Sequence, residues 1–446
     1  MKAAPMHRVL AGLIAPLFLL APVLPAQAAM GFKTITSPSG ITAWFVEDYT
    51  VPLVTIGFAF EGGATQDPDD KLGRASLMTT LFDEGAGDLD SEAFQIRLDE
   101  VGLDMSFSAD QDSISGYARM LADEREEASE LLKLAVQSPR FDQEAIDRMR
   151  SQVLAGIVAA SRDPNRIAGL MWNEALFGDH PYGRPPEGTE QTLPTITPED
   201  LHALHDALFV RGTLKLGIVG AIDEEAAGAL IDQVFGDLPE TGDLKPIADT
   251  EPAFGEELAV DYPLPQSFLN LAYPGIKEQD PDFFPAYVMS EMLAGGSLLS
   301  LLNVEVREKR GLSYGVSGGL IRLDHAEAMT IGTSTSPENA AEALSVIEAT
   351  IAEMIVNGPD PDELERVKRY IIGSYPISQL RSSVAIAGAM IGQQLRGLPI
   401  DYVDKRQAMI EAVTAEQVQA VAARIFATQP SIMLVGPGAE KAEVTP

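Results

Sequence analysis

The sequence predicts an α+β protein built from two homologous tandem domains, each an antiparallel sheet covered on one face by helices. Three observations carry this. The chain has 446 residues, more than one hydrophobic core usually serves. Segments with turn, cap and strand signals recur at a near-constant offset. Within each repeat, β-type runs come as neighbours and are followed by long helical stretches, which suits sheets with helices on one side rather than strict strand–helix alternation.

The N-terminus carries Lys2, His7 and Arg8, then an apolar run from Val9 to Leu24, then Ala26-Gln27-Ala28 before Ala29. This is the pattern of a cleavable secretory signal, so residues 1–28 are expected to be removed and the product to be periplasmic. Pro16 and Pro22 interrupt the run, which speaks against a membrane anchor, and no later segment is apolar for long enough to span a bilayer. The first domain, 29–237, opens with β-type runs at Val54 to Phe60, Leu103 to Ala109 and Ile114 to Arg119. Helical periodicity follows over Asp123 to Val136 and Phe141 to Ser161. Thr197, with Asp200 three residues on, signals a capped helix, and Leu214 to Gly220 a closing strand.

A Pro-, Gly- and acid-rich stretch, Leu238 to Glu257, reads as a linker (238–257). The second domain, 258–446, repeats the ending. Thr414 with Gln417 caps a helix 217 residues after Thr197, and Ser431 to Gly436 matches the earlier strand at an offset of 216. Ile146 to Arg150 and Leu364 to Lys368 form a further pair, 218 apart.

Composition excludes several functions. With no cysteine there are no disulfides, thiol nucleophiles or cysteine metal sites. The formal charge is −34, and loss of Lys2 and Arg8 with the signal leaves 30 basic against 66 acidic residues. Phosphate backbones and anionic lipid would be repelled, so nucleic-acid binding and membrane adsorption are disfavoured. Gly315-Val316-Ser317-Gly318-Gly319 fits a serine-hydrolase pattern in letters only, because it lies in a strand-like run and not on a strand-to-helix turn. His202 and His205 lie three apart on a helix beside Asp206. No second motif supplies further ligands, and a solvated helix face is the better reading.

The chain resembles the pitrilysin/insulinase-type zinc peptidases, in particular their bacterial, mitochondrial-processing-peptidase-like branch. The resemblance rests on Val51 to Ala64, on the helix from Gly73 to Phe82, on His180 to Pro185 with Gly188-Thr189, and on Gly295 to Tyr314. The family's zinc helix carries His-x-x-Glu-His; here those positions are Ser76, Thr79 and Thr80. The remaining glutamate ligand falls, 76 residues past Thr80, on Gly156. Hydroxyls and a hydrogen atom can neither hold zinc nor activate its water. The resemblance therefore implies a non-catalytic member with a half-clamshell fold and no cofactor of its own.

It also implies roles for Arg307 and Tyr314, seven residues apart, as groups that contact substrate and donate hydrogen bonds to the oxyanion formed in peptide hydrolysis. Without the resemblance, Arg307, Lys309 and Arg310 would read as cations at a helix C-terminus and Tyr314 as a strand aromatic. The implied partner is a homologous exported subunit with an intact zinc motif, and the implied substrate an unstructured peptide. A catalytically dead peptide-binding or scaffold protein of the same fold is the alternative. Gly295 and Gly296 could line the substrate chamber; a turn between helices with Ser297 as N-cap is the plainer reading.

Overall fold

The computed structural model describes residues 31–437 and 439; the expected signal peptide lies outside the described residues. The first sheet contains β1 (Lys33–Thr36), β2 (Thr42–Glu47), β3 (Leu53–Glu61), β4 (Asp104–Ala109), β5 (Ser113–Leu121) and β6 (Lys215–Gly220), in the order β1-β2-β6-β3-β5-β4. The second contains β7 (Glu257–Asp261), β8 (Ser267–Pro274), β9 (Ser313–Arg322), β10 (Glu327–Thr335) and β11 (Ser431–Gly436), in the order β7-β11-β8-β10-β9. Apart from β1, the two orders are the same. The last strand of each half is inserted, β6 between β2 and β3 and β11 between β7 and β8; β2 and β6 run parallel, as do β7 and β11, while every other pairing is antiparallel. Adjacent hairpin strands signal their pairing locally, but a strand returning from the end of the half does not.

The helices of the first half are α1 (Arg74–Thr79), α2 (Ser91–Val101), α3 (Arg125–Gln137), α4 (Gln143–Ala160), α5 (Pro164–Phe177), α6 (Pro198–Leu208) and α7 (Glu224–Phe235). Those of the second are α8 (Phe283–Ala294), α9 (Ala340–Asn357), α10 (Pro361–Gln379), α11 (Ser383–Leu395), α12 (Tyr402–Glu411) and α13 (Ala415–Ile425). Both expected capping boxes are present: the Thr197 hydroxyl accepts from the Asp200 N–H and the Thr414 hydroxyl from the Gln417 N–H, with the reciprocal bonds also made. Among the described residues, no helix is long and apolar enough to cross a membrane.

Helices cover both faces of each sheet, not one. On β3, Ile56, Phe58 and Phe60 point into the first half's own core, so alternation turns Thr55 and Gly57 to the opposite face. That face is covered by α11 from the second half. Ala387 and Met390 of α11 bury Trp44 and Val219, and the Ser383 hydroxyl lies 2.7 Å from that of Thr55. A Cβ at Gly57 would stand 3.0 Å from Ala387 Cβ, so the glycine lets the helix settle on the strand. The exchange is reciprocal, because α5 lays Ala168, Met171 and Trp172 on Met433 and Val435 of the second sheet. Helices α5 and α11 occupy corresponding places in the two repeats.

A polar junction joins the halves elsewhere. Tyr182, 1% exposed, donates its hydroxyl proton to the Asp112 carboxylate at 2.8 Å and accepts from the backbone N–H of His325 at 3.0 Å. The Asp324 N–H reaches the same Asp112 carboxylate at 3.1 Å. The His180–Pro185 loop thereby ties the β4–β5 turn to the β9–β10 turn of the other half.

Short helix α1 is held from its start. The buried carboxylate of Asp67 accepts from the Gly73 and Ala75 N–H groups at 3.1 and 3.2 Å and pairs with Arg74. Gly73 has φ 89°, and a Cβ there would meet the Glu187 carbonyl oxygen at 2.5 Å, so the loop ending in Gly188 can sit directly on the helix entry. Burial pushes the Asp67 carboxyl up to about 6, against the pull of Arg74 and the two backbone donors.

Two outcomes are expected. Met390→Ala should cost roughly 2–5 kcal/mol in denaturant unfolding, the usual loss for a fully buried methionine, with both halves still unfolding in one transition. A carboxyl whose folded pKa is raised favours the folded state at low pH and gives up that contribution as pH climbs through about 6. Between pH 4 and 7 the wild type should therefore lose up to about 3 kcal/mol of stability relative to Asp67→Asn; parallel pH profiles for the two would contradict this.

Candidate functional site

The residues singled out at α1 and α4 offer no ligand chemistry for a metal. Helix α1 packs against α4, bringing the segment with Ser76, Thr79 and Thr80 beside the helix that carries Gly156. Ala75, Leu77 and Met78 anchor α1 in the core. The Thr79 hydroxyl donates to the Ser76 carbonyl at 2.8 Å and the Thr80 hydroxyl to the Leu77 carbonyl at 2.7 Å, so both are spent on their own helix. Gly156 lines an apolar groove between α4 and α5 with Val153, Ile157 and Leu170. Among the described residues no cluster of three or more His, Cys, Asp or Glu side chains is arranged to hold a metal. The donor set does not fit zinc.

Arg307 and Tyr314 are placed on two local irregularities. Arg307 lies in a π-helical turn, Asn303–Glu308, and Tyr314 at the start of edge strand β9. On β10, Thr333 pairs with Val316 and Thr335 with Ser313, so two steps along β10 answer three along β9. Tyr314 and Gly315 form the resulting bulge, a device that re-aims a side chain out of the strand's alternation. Tyr314 is 85% exposed as a consequence.

One residue links the two irregularities. The Asn303 side chain, 4% exposed, donates to the Val316 carbonyl at 2.8 Å and to the Ser300 hydroxyl at 2.9 Å, and accepts from the Val316 N–H at 3.0 Å. Thr333 donates to the Gly315 carbonyl and Thr335 to the Leu312 carbonyl, fixing the bulge from its other side. The two candidate residues thus rest on one hydrogen-bonded frame, four residues after Asn303 and two before Val316. Sequence reasoning missed Asn303; a polar residue following Leu301 and Leu302, one turn before Arg307, was the available signal.

The cations after Val306 divide into two kinds. Lys309 and Arg310 both pair with Glu305, at 2.5 and 2.7 Å, and hold its carboxyl below the usual range. The Arg307 side chain is exposed and, among the described residues, makes no hydrogen bond or ion pair. A purely local role for three crowded cations would have tied all of them alike.

Gly295 ends α8, and the Ser297 hydroxyl accepts from the Leu299 N–H at 3.2 Å, so Gly295-Gly296 is a capped turn that leaves Leu298 and Leu299 exposed. Gly315 to Gly319 lie within β9, as the pattern of flanking residues required. The expectation of a solvated face for His202 and His205 is overturned for His205. That ring is buried against Phe82 and Phe209, bonds the Val136 carbonyl through Nε2 at 2.8 Å, and is held below its usual pKa by burial. It is a core residue with Nε2 met by backbone and Nδ1 3.6 Å from the Asp206 carboxylate.

The insulinase model of peptidase family M16 matches residues 44–190, and the model described as the peptidase M16 inactive domain matches residues 195–371. A crystal structure of a peptidase M16 inactive domain from Pseudomonas fluorescens superposes with a TM-score of 0.84 at 29% identity, covering 92% of this chain and 98% of that one. The non-peptidase homolog YmxG of Helicobacter pylori is 24% identical over 337 residues, 75% of this chain and 77% of that protein. An uncharacterized zinc protease of Mycobacterium leprae is 24% identical over 422 residues, 93% and 94% of the two chains. Repeated architecture, the lack of a metal-holding cluster among the described residues and family matches over both halves agree: the chain belongs to the insulinase family, peptidase family M16, as an inactive homologue of its zinc peptidases.

Proposed function

We propose that this chain is the non-catalytic, substrate-binding subunit of an exported heterodimeric zinc peptidase, with Arg307 and Tyr314 completing the site of a zinc-bearing partner. The observation that carries the reading is the contrast between the two candidate sites. At α1 the Thr79 and Thr80 hydroxyls are turned onto their own helix. At the π-turn and bulge, a guanidinium and a phenol stand exposed on a frame that buries Asn303 to hold them. Keeping large donors on irregular backbone has no evident folding benefit, since Lys309 and Arg310 already satisfy Glu305.

In such a complex, an extended peptide would lie between the two chains. As the attacked carbonyl becomes an oxyanion, the Arg307 and Tyr314 side chains, whose backbone the frame holds, would donate hydrogen bonds to it. The reading also requires export, in keeping with the N-terminal signal pattern.

The test is co-expression of the mature chain with a zinc-motif homologue from the same source, followed by an assay on an unstructured peptide. Only the mixture should cleave. Tyr314→Phe should lower its turnover by about ten- to a thousand-fold, as single oxyanion donors do, and Arg307→Ala should do likewise. A partner fully active alone, or unchanged turnover in both variants, would leave the scaffold reading in its place.

A further inference from the structure

A second site stands apart from Arg307 and Tyr314. Helices α8, α10, α11 and α12 and the end of β9 enclose a cavity of about 320 Å³ in the second half, at the small end of the range for ligand sites. Its walls are unusual for this chain, because Arg322, Arg396 and Arg406 all line it. Arg322 and Arg396 converge on one carboxylate oxygen of Glu278, at 3.0 and 2.9 Å, and the Tyr402 hydroxyl donates to the other at 3.3 Å. A single carboxylate is thus shared by two guanidinium groups.

Arg406 is more deeply placed, only 7% exposed, and ion-pairs with no carboxylate among the described residues. Its guanidinium is stacked over the Tyr375 ring at 4.5 Å and the Tyr287 ring at 5.5 Å, and one Nη donates to the Tyr287 hydroxyl at 3.1 Å. The rings fix the plane of the fork while leaving donors unmatched. Glu291 lies close enough to feel Arg406 without pairing with it. Counting it with Glu278, the cavity region still sets three guanidinium groups against two carboxylates, in a chain of formal charge −34.

Two unsatisfied groups point to what is missing. Gln393, 1% exposed, lines the cavity, and neither its amide oxygen nor its amide nitrogen finds a hydrogen-bond partner among the described residues. Arg396 Nε, although 2.9 Å from Glu278, lacks the alignment of a hydrogen bond. Leaving such groups buried and unmatched is costly unless something else meets them. We propose that this cavity is a binding site for a small molecule bearing an oxyanion, a carboxylate or phosphate, clamped by Arg406 and Arg396 and oriented by the Gln393 amide. Planar guanidinium forks match either oxyanion with paired hydrogen bonds. Because Gln393 lies on α11 and Arg396 directly follows it as its C-cap, and α11 covers the first sheet, an occupant would brace the junction between the halves.

Thermal unfolding and titration calorimetry of the purified chain test this, with inorganic phosphate, with succinate, and with sodium chloride at matched ionic strength. At least one of the two oxyanions should raise Tm saturably beyond the chloride control, and which one does so separates the phosphate from the carboxylate source. Arg396→Gln should weaken binding tenfold or more. Gln393→Met should weaken it similarly while leaving the Tm of the ligand-free chain unchanged or higher, because it removes an unmatched amide. No saturable rise with either anion, or a rise that persists in both variants, would overturn the site. A lower ligand-free Tm in Gln393→Met would show that the amide is satisfied internally and would overturn it as well.

Discussion

Helix α11 cannot leave the first sheet without uncovering Trp44, Val219 and the whole face of β3 that carries Thr55 and Gly57. Helix α5 has the same hold on Met433 and Val435 of the second sheet. The exchange of these two helices is the constraint on which the rest depends, since each covers a sheet face of the other half. Apolar area left open there would cost on the order of 25 cal/mol per Å². The Tyr182–Asp112–His325 junction adds direction to a contact that the exchanged helices make strong. Whatever acts on one half is therefore felt by the other.

Against that rigid background, the two candidate sites diverge in a physically legible way. At α1, Asp67 and the Gly73–Gly188 approach fix the helix entry, and the Thr79 and Thr80 hydroxyls hydrogen-bond within their own helix. The Arg307–Tyr314 region instead presents an exposed guanidinium and phenol. Its frame contains a π-turn, a bulge and a buried asparagine, all of which local propensity disfavours and the surrounding hydrogen bonds must sustain. Departures from regular structure of this kind are expected where a side chain must be aimed.

Much of the scaffold was visible in the residues themselves. Thr197 and Thr414 announced their helices because a capping box is a short-range hydrogen-bond pattern, and Val54 to Phe60 and Ile114 to Arg119 announced strands because β-type composition is a local signal, although β3 finds both its partners, β5 and β6, far away in sequence. The helices covering the second faces were not visible, since α11 sits more than 300 residues from the strand it covers. Even so, β3 held a clue: Leu53 to Phe60 lacks the polar alternation that a half-solvated strand would show. His205 was misjudged for the same reason, as the carbonyl that satisfies it belongs to α3. The guanidinium cavity gave no signal, because its arginines come from three separate elements.

The central claim is that the surface around Arg307 and Tyr314 meets substrate beside a second, zinc-bearing chain. Hydrogen exchange measured on the mature chain alone, and again with a zinc-motif homologue and an unstructured peptide, addresses it most directly. The account predicts added protection across residues 303–317, with α1 unchanged in the peptide-dependent step. Unaltered exchange across 303–317 in the presence of both partners would contradict it.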